Sequence, residues 1–285
     1  MRIHAHAKVN LALVVGRVRP DGYHELRGLF QSLDLADRIA VDLADVDELV
    51  VDGGAPSIPG ENLAWRALEA VRDLTGMRRA MRMVLAKRIP TQAGLGGGSA
   101  DAAAVLGALG ADVDPGRLAG AAAELGSDVP FGLVGGTAVV RGRGEIVEPL
   151  PFAAGYALAV VVPPVELSTP EVYRRWDDLD GPRGPAIPAA ALPPSLRDLL
   201  PLRNDLYPAA ASLAPDLDDW RAELEARWDV PVAMTGSGSG LFGFFPTRSE
   251  AAAAADVAPG GVRFADAAEP VPRAWEAGDG LDPDA

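Results

Sequence analysis

The sequence predicts a mixed α+β fold with two-layer α/β packing, in one large or two ordinary domains. Its 285 residues are 48% apolar and 23% charged, which is the balance of a globular chain with a sizeable core. Segments of period-two alternation, typical of strands, are interleaved with segments of helical periodicity. The composition shifts after Leu150, beyond which Pro and Ala become frequent. We therefore expect strands and helices in both halves of the chain.

Residues 2–15 alternate with period two and predict a strand with one apolar and one polar face. The polar face carries His4, His6, Lys8 and Asn10. For the two histidines, a solvated outer face explains the pattern as well as a binding role does. Lys8 and Asn10 stand two residues apart on one face, so both could address a single ligand.

The loop after this strand contains a strong turn signal, Pro-Asp-Gly at residues 20–22, followed directly by Tyr23 and His24. An aromatic beside a histidine is explained by packing alone, or by stacking on and hydrogen bonding to a planar base. From Phe30 to Val51 the pattern predicts short apolar strands separated by acidic turns.

The most informative stretch is residues 90–104, PTQAGLGGGSADAAA, which follows a strand-like run at residues 81–89. Glycines allow close backbone approach to an anion and positive φ at no steric cost. Ser99 is expected to cap the helix that follows, with Asp101 in its first turn. A glycine loop that leads into a helix directs unsatisfied N–H groups at one point, which indicates a phosphate site.

This loop fits neither of the two common phosphate-binding patterns. The P-loop needs a Lys after its glycines, and none follows here. The dinucleotide pattern GxGxxG also fails, because Ser99 stands where the third glycine belongs. A glycine-rich turn that simply caps a core helix remains the alternative.

The remaining elements follow from periodicity and from capping residues. A second glycine- and serine-rich turn near residues 235–240 could pack against the first loop, or could be a tight hairpin by itself. Asp128 lies in a short segment between a helix end and a strand, where catalytic residues are common, although a loop Asp that caps local amides is the simpler interpretation. The expected helices are residues 62–75, 100–109, 114–126, 168–176, 207–213 and 217–227, and the expected strands are residues 137–141, 145–150, 156–162 and the two flanks of the turn within 232–245.

Composition and charge exclude several classes of function. Cysteine is absent, which excludes disulfides, thiolate catalysis and Cys-ligated metals. The net charge of −14 argues against a nucleic-acid surface. No apolar run is long enough for a membrane span and no signal-peptide pattern is visible, so we expect a cytoplasmic enzyme with neither nucleic-acid nor membrane partners.

Basic and acidic residues are unevenly used. Only Lys8 and Lys87 are lysines among 26 basic residues, and both lie in stretches already singled out for binding. After Ala265 the acids outnumber the one base, Arg273, and predict a solvated, weakly ordered tail. The tail acids are Asp266, Glu269, Glu276, Asp279, Asp282 and Asp284.

Taken together, these motifs resemble the GHMP small-molecule kinase superfamily. The matching segments run in family order over most of the chain: AKVNLAL (7–13), RPDGYHEL (19–26), PTQAGLGGGSADAA (90–103), GSDVPF (126–131), STPEVY (168–173), RNDL (203–206) and MTGSGSGLF (234–242). The resemblance implies a ribosomal-protein-S5-domain-2-like domain at residues 1–152, a ferredoxin-like domain at residues 153–265 and the acidic tail at 266–285. The DGYH segment and the triple glycine are similar to the member that acts on a cytidine-diphosphate-linked sugar alcohol.

The resemblance also implies roles for individual residues. Asp128 and Lys8 match the catalytic pair, and Asn10, Tyr23, His24 and Tyr173 match the substrate pocket, with the aromatics on the cytosine. ATP would bring its own Mg²⁺, with no dedicated metal site on the protein, and the assembly would be a monomer or homodimer. The cofactor-binding positions would be Pro90, Thr91, Gln92, Ala93, Gly94, Leu95, Gly96, Gly97, Gly98, Ser99 and Ala100, together with Asn62 and Lys87.

Ala100 departs from the family pattern, because it replaces a second serine that could have aided phosphate or Mg²⁺ binding. Three other functions stay open at this point: a GHMP kinase of homoserine, mevalonate or a sugar, a nucleotide-binding sensor without turnover, and an α/β scaffold without a ligand. An aliphatic acceptor has no planar group that could stack on the aromatic cluster of Tyr23, His24 and Tyr173. A sensor would not need both Lys8 and Asp128.

Overall fold

The computed structural model describes residues 1–52, 59–199 and 201–278. Within these residues the strands are β1 (Arg2–Val18), β2 (His24–Leu43), β3 (Glu48–Asp52), β4 (Met81–Ala86), β5 (Thr137–Gly142), β6 (Ile146–Pro149), β7 (Ala157–Val162), β8 (Val232–Met234), β9 (Leu241–Phe245), β10 (Phe264–Ala268) and β11 (Trp275–Gly278). The helices are α1 (Leu63–Thr75), α2 (Gly97–Leu109), α3 (Pro115–Leu125), α4 (Val129–Val134), α5 (Thr169–Asp178), α6 (Tyr207–Leu213), α7 (Asp216–Trp228) and α8 (Arg248–Asp256). No helix in the described part of the chain has the length and apolar character needed to cross a bilayer.

The N-terminal half is built around one mixed sheet. Its strands run in the order β11-β1-β2-β4-β3, and β5 and β6 extend it from the first part of β2. Helices α1 and α2 cover this sheet with an apolar cluster that includes Leu68, Met83 and Leu106. This packing places the start of α2 beside the middle of β1.

The second sheet has the order β10-β7-β9-β8, with every neighbouring pair antiparallel. Helices α5 to α7 connect β7 to β8, and α8 connects β9 to β10. This is the β-α-β-β-α-β succession of a ferredoxin-like unit, as expected for the C-terminal half. The boundary at residues 152/153 stays a prediction.

The segment between Phe30 and Leu43 is continuous strand, so the prediction of short strands with acidic turns was wrong there. Strand β2 pairs with β5 through residues 26–31 and with β4 through residues 38–43. Its acids have partners in the fold: the carboxylate of Asp37 is buried and accepts the backbone N–H of Arg88 (2.6 Å) and Ile89 (2.8 Å). Satisfied in this way, the acid does not break the strand.

The prediction of a weakly ordered tail is also corrected for the described residues. Strand β10 pairs with β7, and β11 pairs with β1, so the chain returns to the N-terminal sheet. The ring of Trp275 packs so closely on α2 that a Cβ at Gly107 would lie 2.5 Å from it. Backbone pairing and this burial outweigh the acidic composition. Asp279, Asp282 and Asp284 lie outside the described residues.

Candidate active site

A cleft of about 940 Å³ brings together most of the sequence-predicted site residues. Its walls come from both halves of the molecule: β1, the loop before α2, the start of α4, and α5 with the turn after β8. The predicted residues that line it are Lys8, Asn10, Tyr23, His24, Lys87, Pro90, Thr91, Gln92, Ala93, Gly94, Gly96, Gly97, Gly98, Ser99, Asp128 and Tyr173.

The glycine loop leads into α2 through two residues with left-handed backbone, Gly94 (φ +70°) and Gly96 (φ +71°). Gly96, not Ser99, occupies the N-cap position, and no side chain caps the helix, so the predicted role of Ser99 as a cap was wrong. The first intrahelical bond is donated by the N–H of Ala100 to Gly96 O (2.8 Å). The preceding N–H groups, at the cleft wall, are therefore free of intrahelical partners and form an anion site.

The second glycine- and serine-rich turn packs directly against this loop. A Cβ on Gly94 would lie 2.1 Å from the carbonyl oxygen of Thr235, and the hydroxyl of Thr235 donates to Gly94 O at 3.0 Å. The N–H of Gly240 donates to Ala93 O at 3.2 Å. Because a methyl group would not fit, glycine is required here for close approach of two backbones.

Asn204 supports the second turn from behind. Its buried amide Nδ2 donates to Met234 O (2.9 Å) and to Gly236 O (2.7 Å), and its Oδ1 accepts from the N–H of Leu206 (3.0 Å). The RNDL segment that holds Asn204 is thus a structural support of the cleft wall. Sequence reasoning recorded the segment but gave it no role.

Lys8 and Asp128, the pair predicted to be reactive, form an ion pair in the cleft. Lys8 is only 6% exposed, and its Nζ lies 3.1 Å from Asp128 Oδ2 and 2.5 Å from Asn10 Oδ1. Asp128 keeps 31% of its side chain exposed to the cleft and immediately precedes α4. A buried ammonium thus holds an accessible carboxylate in place.

Register shifts between β1 and β2 set the direction of the Lys8 and Asn10 side chains. The register between β1 and β2 shifts between His6 and Lys8 and again between Asn10 and Ala12. Bulges of this kind re-aim side chains and are frequent next to active sites. Lys8 and Asn10 consequently face the cleft, whereas His4 and His6 are not among its lining residues.

Aromatic rings surround His24, which also lines the cleft. The ring of Tyr173 lies 5.2 Å from the His24 ring, and Trp176 meets it edge-on at 5.5 Å. His24 Nε2 lies 2.9 Å from Asp177 Oδ1. Burial raises the pKa of Tyr173, which therefore stays an uncharged aromatic surface. Tyr23 is 49% exposed, so one part of its ring is available to a ligand.

Lys87 lines the cleft, but its ammonium group already has acidic side chains as partners. Its Nζ contacts Asp37 and also Asp101, whose Oδ2 lies 2.5 Å away. Asp101 is buried and lies in the second turn of α2, not in the first turn as predicted. Burial raises the pKa of Asp101 to about 8, even though Lys87 opposes the shift.

Three predicted cofactor positions do not line the cleft. The Asn62 side chain caps α1 by accepting the N–H groups of Ala64 (3.0 Å) and Trp65 (3.2 Å). Leu95 and Ala100 are buried beneath the loop, and Leu95 O accepts the N–H of Lys8 at 3.0 Å. A nucleotide contact by Asn62 stays a prediction.

Sequence reasoning missed several polar residues of the cleft. They are Ser127, Arg143, Thr169, Asp177 and Ser237. The hydroxyls of Thr169 and Ser237 lie 2.7 Å apart and link α5 to the second glycine- and serine-rich turn. No sequence spacing reveals such contacts, because the partners are far apart along the chain.

Comparison with known proteins agrees with this geometry. Residues 62–136 match the model of the GHMP kinases N terminal domain, and residues 188–260 match the model of GHMP kinases C terminal. A 4-diphosphocytidyl-2-C-methyl-D-erythritol kinase from Corynebacterium efficiens is 42% identical over 269 residues, which span 84% of this chain and 83% of that protein. A protein of the same name from Pelotomaculum thermopropionicum is 41% identical over 250 residues, spanning 84% of this chain and 87% of that protein.

Solved structures extend the match to three dimensions. A crystal structure of 4-(cytidine 5'-diphospho)-2C-methyl-D-erythritol kinase superposes with a TM-score of 0.77 at 38% identity, covering 98% of this chain and 100% of that one. The chain belongs to the GHMP kinase family of small-molecule kinases and has the two-domain α+β fold of that family.

Proposed function

We propose that this protein transfers the γ-phosphoryl group of ATP to the 2-hydroxyl of 4-diphosphocytidyl-2-C-methyl-D-erythritol, a step of non-mevalonate isoprenoid synthesis. One observation carries the proposal: a single cleft joins an anion-binding helix start, a Lys8–Asp128 pair and an aromatic subsite around His24. The names of relatives that are 41–42% identical over most of their length support the same acceptor.

In this reaction the protein positions groups and stabilises charge. The N–H groups at the start of α2 hold the ATP phosphates, and Asp128 accepts the proton of the acceptor hydroxyl. The hydroxyl oxygen then forms a bond to the γ-phosphorus, the bond from that phosphorus to the bridging oxygen breaks, and ADP leaves. Lys8 is paired with Asp128, so it holds that carboxylate in place and steadies the negative charge that develops nearby.

Mg²⁺ that enters with ATP would neutralise phosphate charge during the transfer. No group of three or more potential metal-ligating side chains occurs in the residues that the structure describes. Gly94 and Gly96 leave no room for a Cβ because Thr235 and Lys8 fill those positions, so the loop backbone packs closely against both residues.

The aromatic subsite would select the acceptor. Tyr23 and Tyr173 provide flat apolar surface for a cytosine, and His24, oriented by Asp177, provides a hydrogen bond to the base edge. Homoserine, mevalonate and simple sugars have no planar group to fill this subsite. A cytoplasmic location, and a monomer or homodimer, remain predictions.

The test is acceptor-dependent release of ADP by the purified protein with ATP and Mg²⁺. We expect release with 4-diphosphocytidyl-2-C-methyl-D-erythritol and only background with homoserine, mevalonate or galactose. Release with one of the latter would keep the kinase and change the acceptor. ATP binding without release in every arm would favour a sensor. Asp128→Asn protein serves as the inactive control.

A further inference from the structure

The turn between β5 and β6 places Arg143 at the edge of the cleft, over the ring of Tyr23. The guanidinium carbon of Arg143 lies 5.1 Å from the ring centroid of Tyr23, and both residues line the cleft. One of its amino groups, Nη2, donates to Ala123 O at 3.0 Å. This leaves most of the five N–H donors of the guanidinium for another acceptor.

The same turn is fixed against the segment that carries the reactive carboxylate. Gly144 has φ +127°, and a Cβ there would lie 2.1 Å from the carbonyl oxygen of Ser127, the residue before Asp128. The turn therefore contacts Tyr23 through the Arg143 guanidinium and the residue before Asp128 through its backbone.

Arg143 differs from the other cations of the cleft in its pairing. Lys8 and Lys87 have carboxylates at 3.1 Å or less, and Arg174 lies 3.8 Å from Glu171. Among the described residues, no carboxylate oxygen lies within 4.0 Å of the Arg143 guanidinium nitrogens.

The acids closest to this turn are held by a different arginine. Arg19 lies 3.2 Å from Asp21, 3.2 Å from Glu25 and 3.4 Å from Glu145. The positive charge of Arg143 is thus only distantly compensated, in a protein whose net charge is −14. A half-buried, pre-oriented cation without an ion-pair partner is suited to an anionic ligand, and the planar guanidinium matches phosphate oxygens in a bidentate geometry.

We propose that Arg143 binds the diphosphate of the acceptor and so makes the enzyme selective for a phosphorylated cytidyl compound. This inference rests on the proposed function. With a base stacked at Tyr23 and the reacting hydroxyl at Asp128, the diphosphate that joins them passes Arg143. The site proposed for the ATP phosphates is the start of α2, a different part of the cleft lining from the turn that carries Arg143.

The test compares binding of cytidine, CDP and ATP to the wild-type protein and to Arg143→Met, by calorimetric titration. The loss of a charge-assisted bidentate contact is expected to weaken CDP binding about 10- to 100-fold. Cytidine and ATP affinities stay within about twofold. Arg143→Lys keeps the positive charge but lacks the planar guanidinium that makes two parallel hydrogen bonds, so it recovers part of the CDP affinity. In steady state, Arg143→Met raises KM for the acceptor with KM for ATP unchanged.

Arg141→Met is the matched control. Arg141 lies two residues away on β5, pairs with Glu148 outside the cleft, and its removal changes the net charge equally. Equal losses of cytidine and CDP affinity in Arg143→Met would mean that Arg143 only braces Tyr23, and a loss of ATP affinity would move the contact to the nucleotide. Either result overturns the proposal. Wild-type protein that binds neither cytidine nor CDP would overturn the proposed function as well.

Discussion

Replacement of Gly96 by alanine tests how the glycine loop and the reactive pair depend on each other. Gly96 is the N-cap of α2 with φ +71°, and a Cβ there would lie 2.9 Å from Lys8 Cε and 3.0 Å from Lys8 Cγ. The methyl group must therefore displace the side chain that holds Asp128 at 3.1 Å.

Two costs follow from this geometry. A left-handed backbone costs an alanine roughly 1–2 kcal/mol, which appears as a lower free energy of unfolding. A Lys8 shift of a few tenths of an ångström, passed on to Asp128, is expected to lower kcat by about 10- to 100-fold, because a misplacement of about 1 Å can cost 10²-fold. The adjacent N–H groups of α2 would move as well, so KM for ATP also rises.

Urea unfolding followed by tryptophan fluorescence and ADP release in the steady state measure the two effects. Gly98→Ala is the control for stability: its φ is not in the left-handed region, and the nearest atom to its added Cβ is Leu63 Cδ1 at 3.6 Å. We expect Gly98→Ala to be as stable as the wild type or more stable, by up to about 1 kcal/mol. A Gly96→Ala protein with wild-type stability and wild-type kcat would show that neither the backbone of Gly96 nor its contact with Lys8 requires a glycine.

Three further predictions concern single side chains. Asp128→Asn should lower kcat by about 10²- to 10⁴-fold while the Kd for ATP, measured by titration, stays unchanged; substantial remaining turnover would remove Asp128 from its catalytic role. Tyr23→Ala should raise KM for the cytidyl acceptor about tenfold or more with little change in KM for ATP, and equal increases would mean that the base subsite is misplaced. The pKa of Asp101 is raised from 3.8 to about 8, so its contribution to stability is fully present below about pH 4 and is lost as the pH rises towards 8. Asp101→Asn removes this dependence, so the free energy of unfolding of the wild type should fall relative to the variant between pH 5 and 8, by at most about 1.4 kcal/mol per pH unit; parallel urea-unfolding curves across that range would contradict the assignment.

Local patterns in the sequence predicted much of the fold. The alternation in residues 2–15 corresponds to β1, and the helices expected to start at residues 62 and 114 are α1 and α3, which Asn62 and Asp114 cap with their side chains. These signals depend on neighbours within a few residues, so the chain carries them without tertiary information.

Features that depend on distant partners were not predictable in the same way. By residue type, Asp37 indicates a turn. In the structure it lies within a strand, where Lys87 and two backbone N–H groups satisfy its carboxylate. The acidic C-terminal segment looks solvated until β11 pairs with β1. Ser99 is a good capping residue by type, but Gly96, with its left-handed backbone, occupies the N-cap position and α2 begins at Gly97.

For the site, the sequence predicted Lys8, Asp128 and the glycine loop, and the structure brings these residues into one cleft, while the catalytic role of the pair stays a prediction. Arg143 carried no local signal, because its significance comes from its contact with Tyr23, more than a hundred residues earlier, and from the lack of a carboxylate partner within the described residues. Such a residue is recognised only when the three-dimensional positions of all charged groups show which of them form ion pairs.

The identity of the phosphorylated product decides whether this protein phosphorylates the sugar-alcohol hydroxyl of the cytidyl acceptor. Protein, ATP, Mg²⁺ and 4-diphosphocytidyl-2-C-methyl-D-erythritol are incubated together, and the products are analysed by mass spectrometry and ³¹P nuclear magnetic resonance. We expect one ADP per acceptor consumed and one new phosphomonoester on the sugar-alcohol carbon, with both diphosphate resonances of the acceptor retained. ADP and inorganic phosphate with an unchanged acceptor, or a phosphoryl group added elsewhere on it, would contradict the proposed transfer to the 2-hydroxyl.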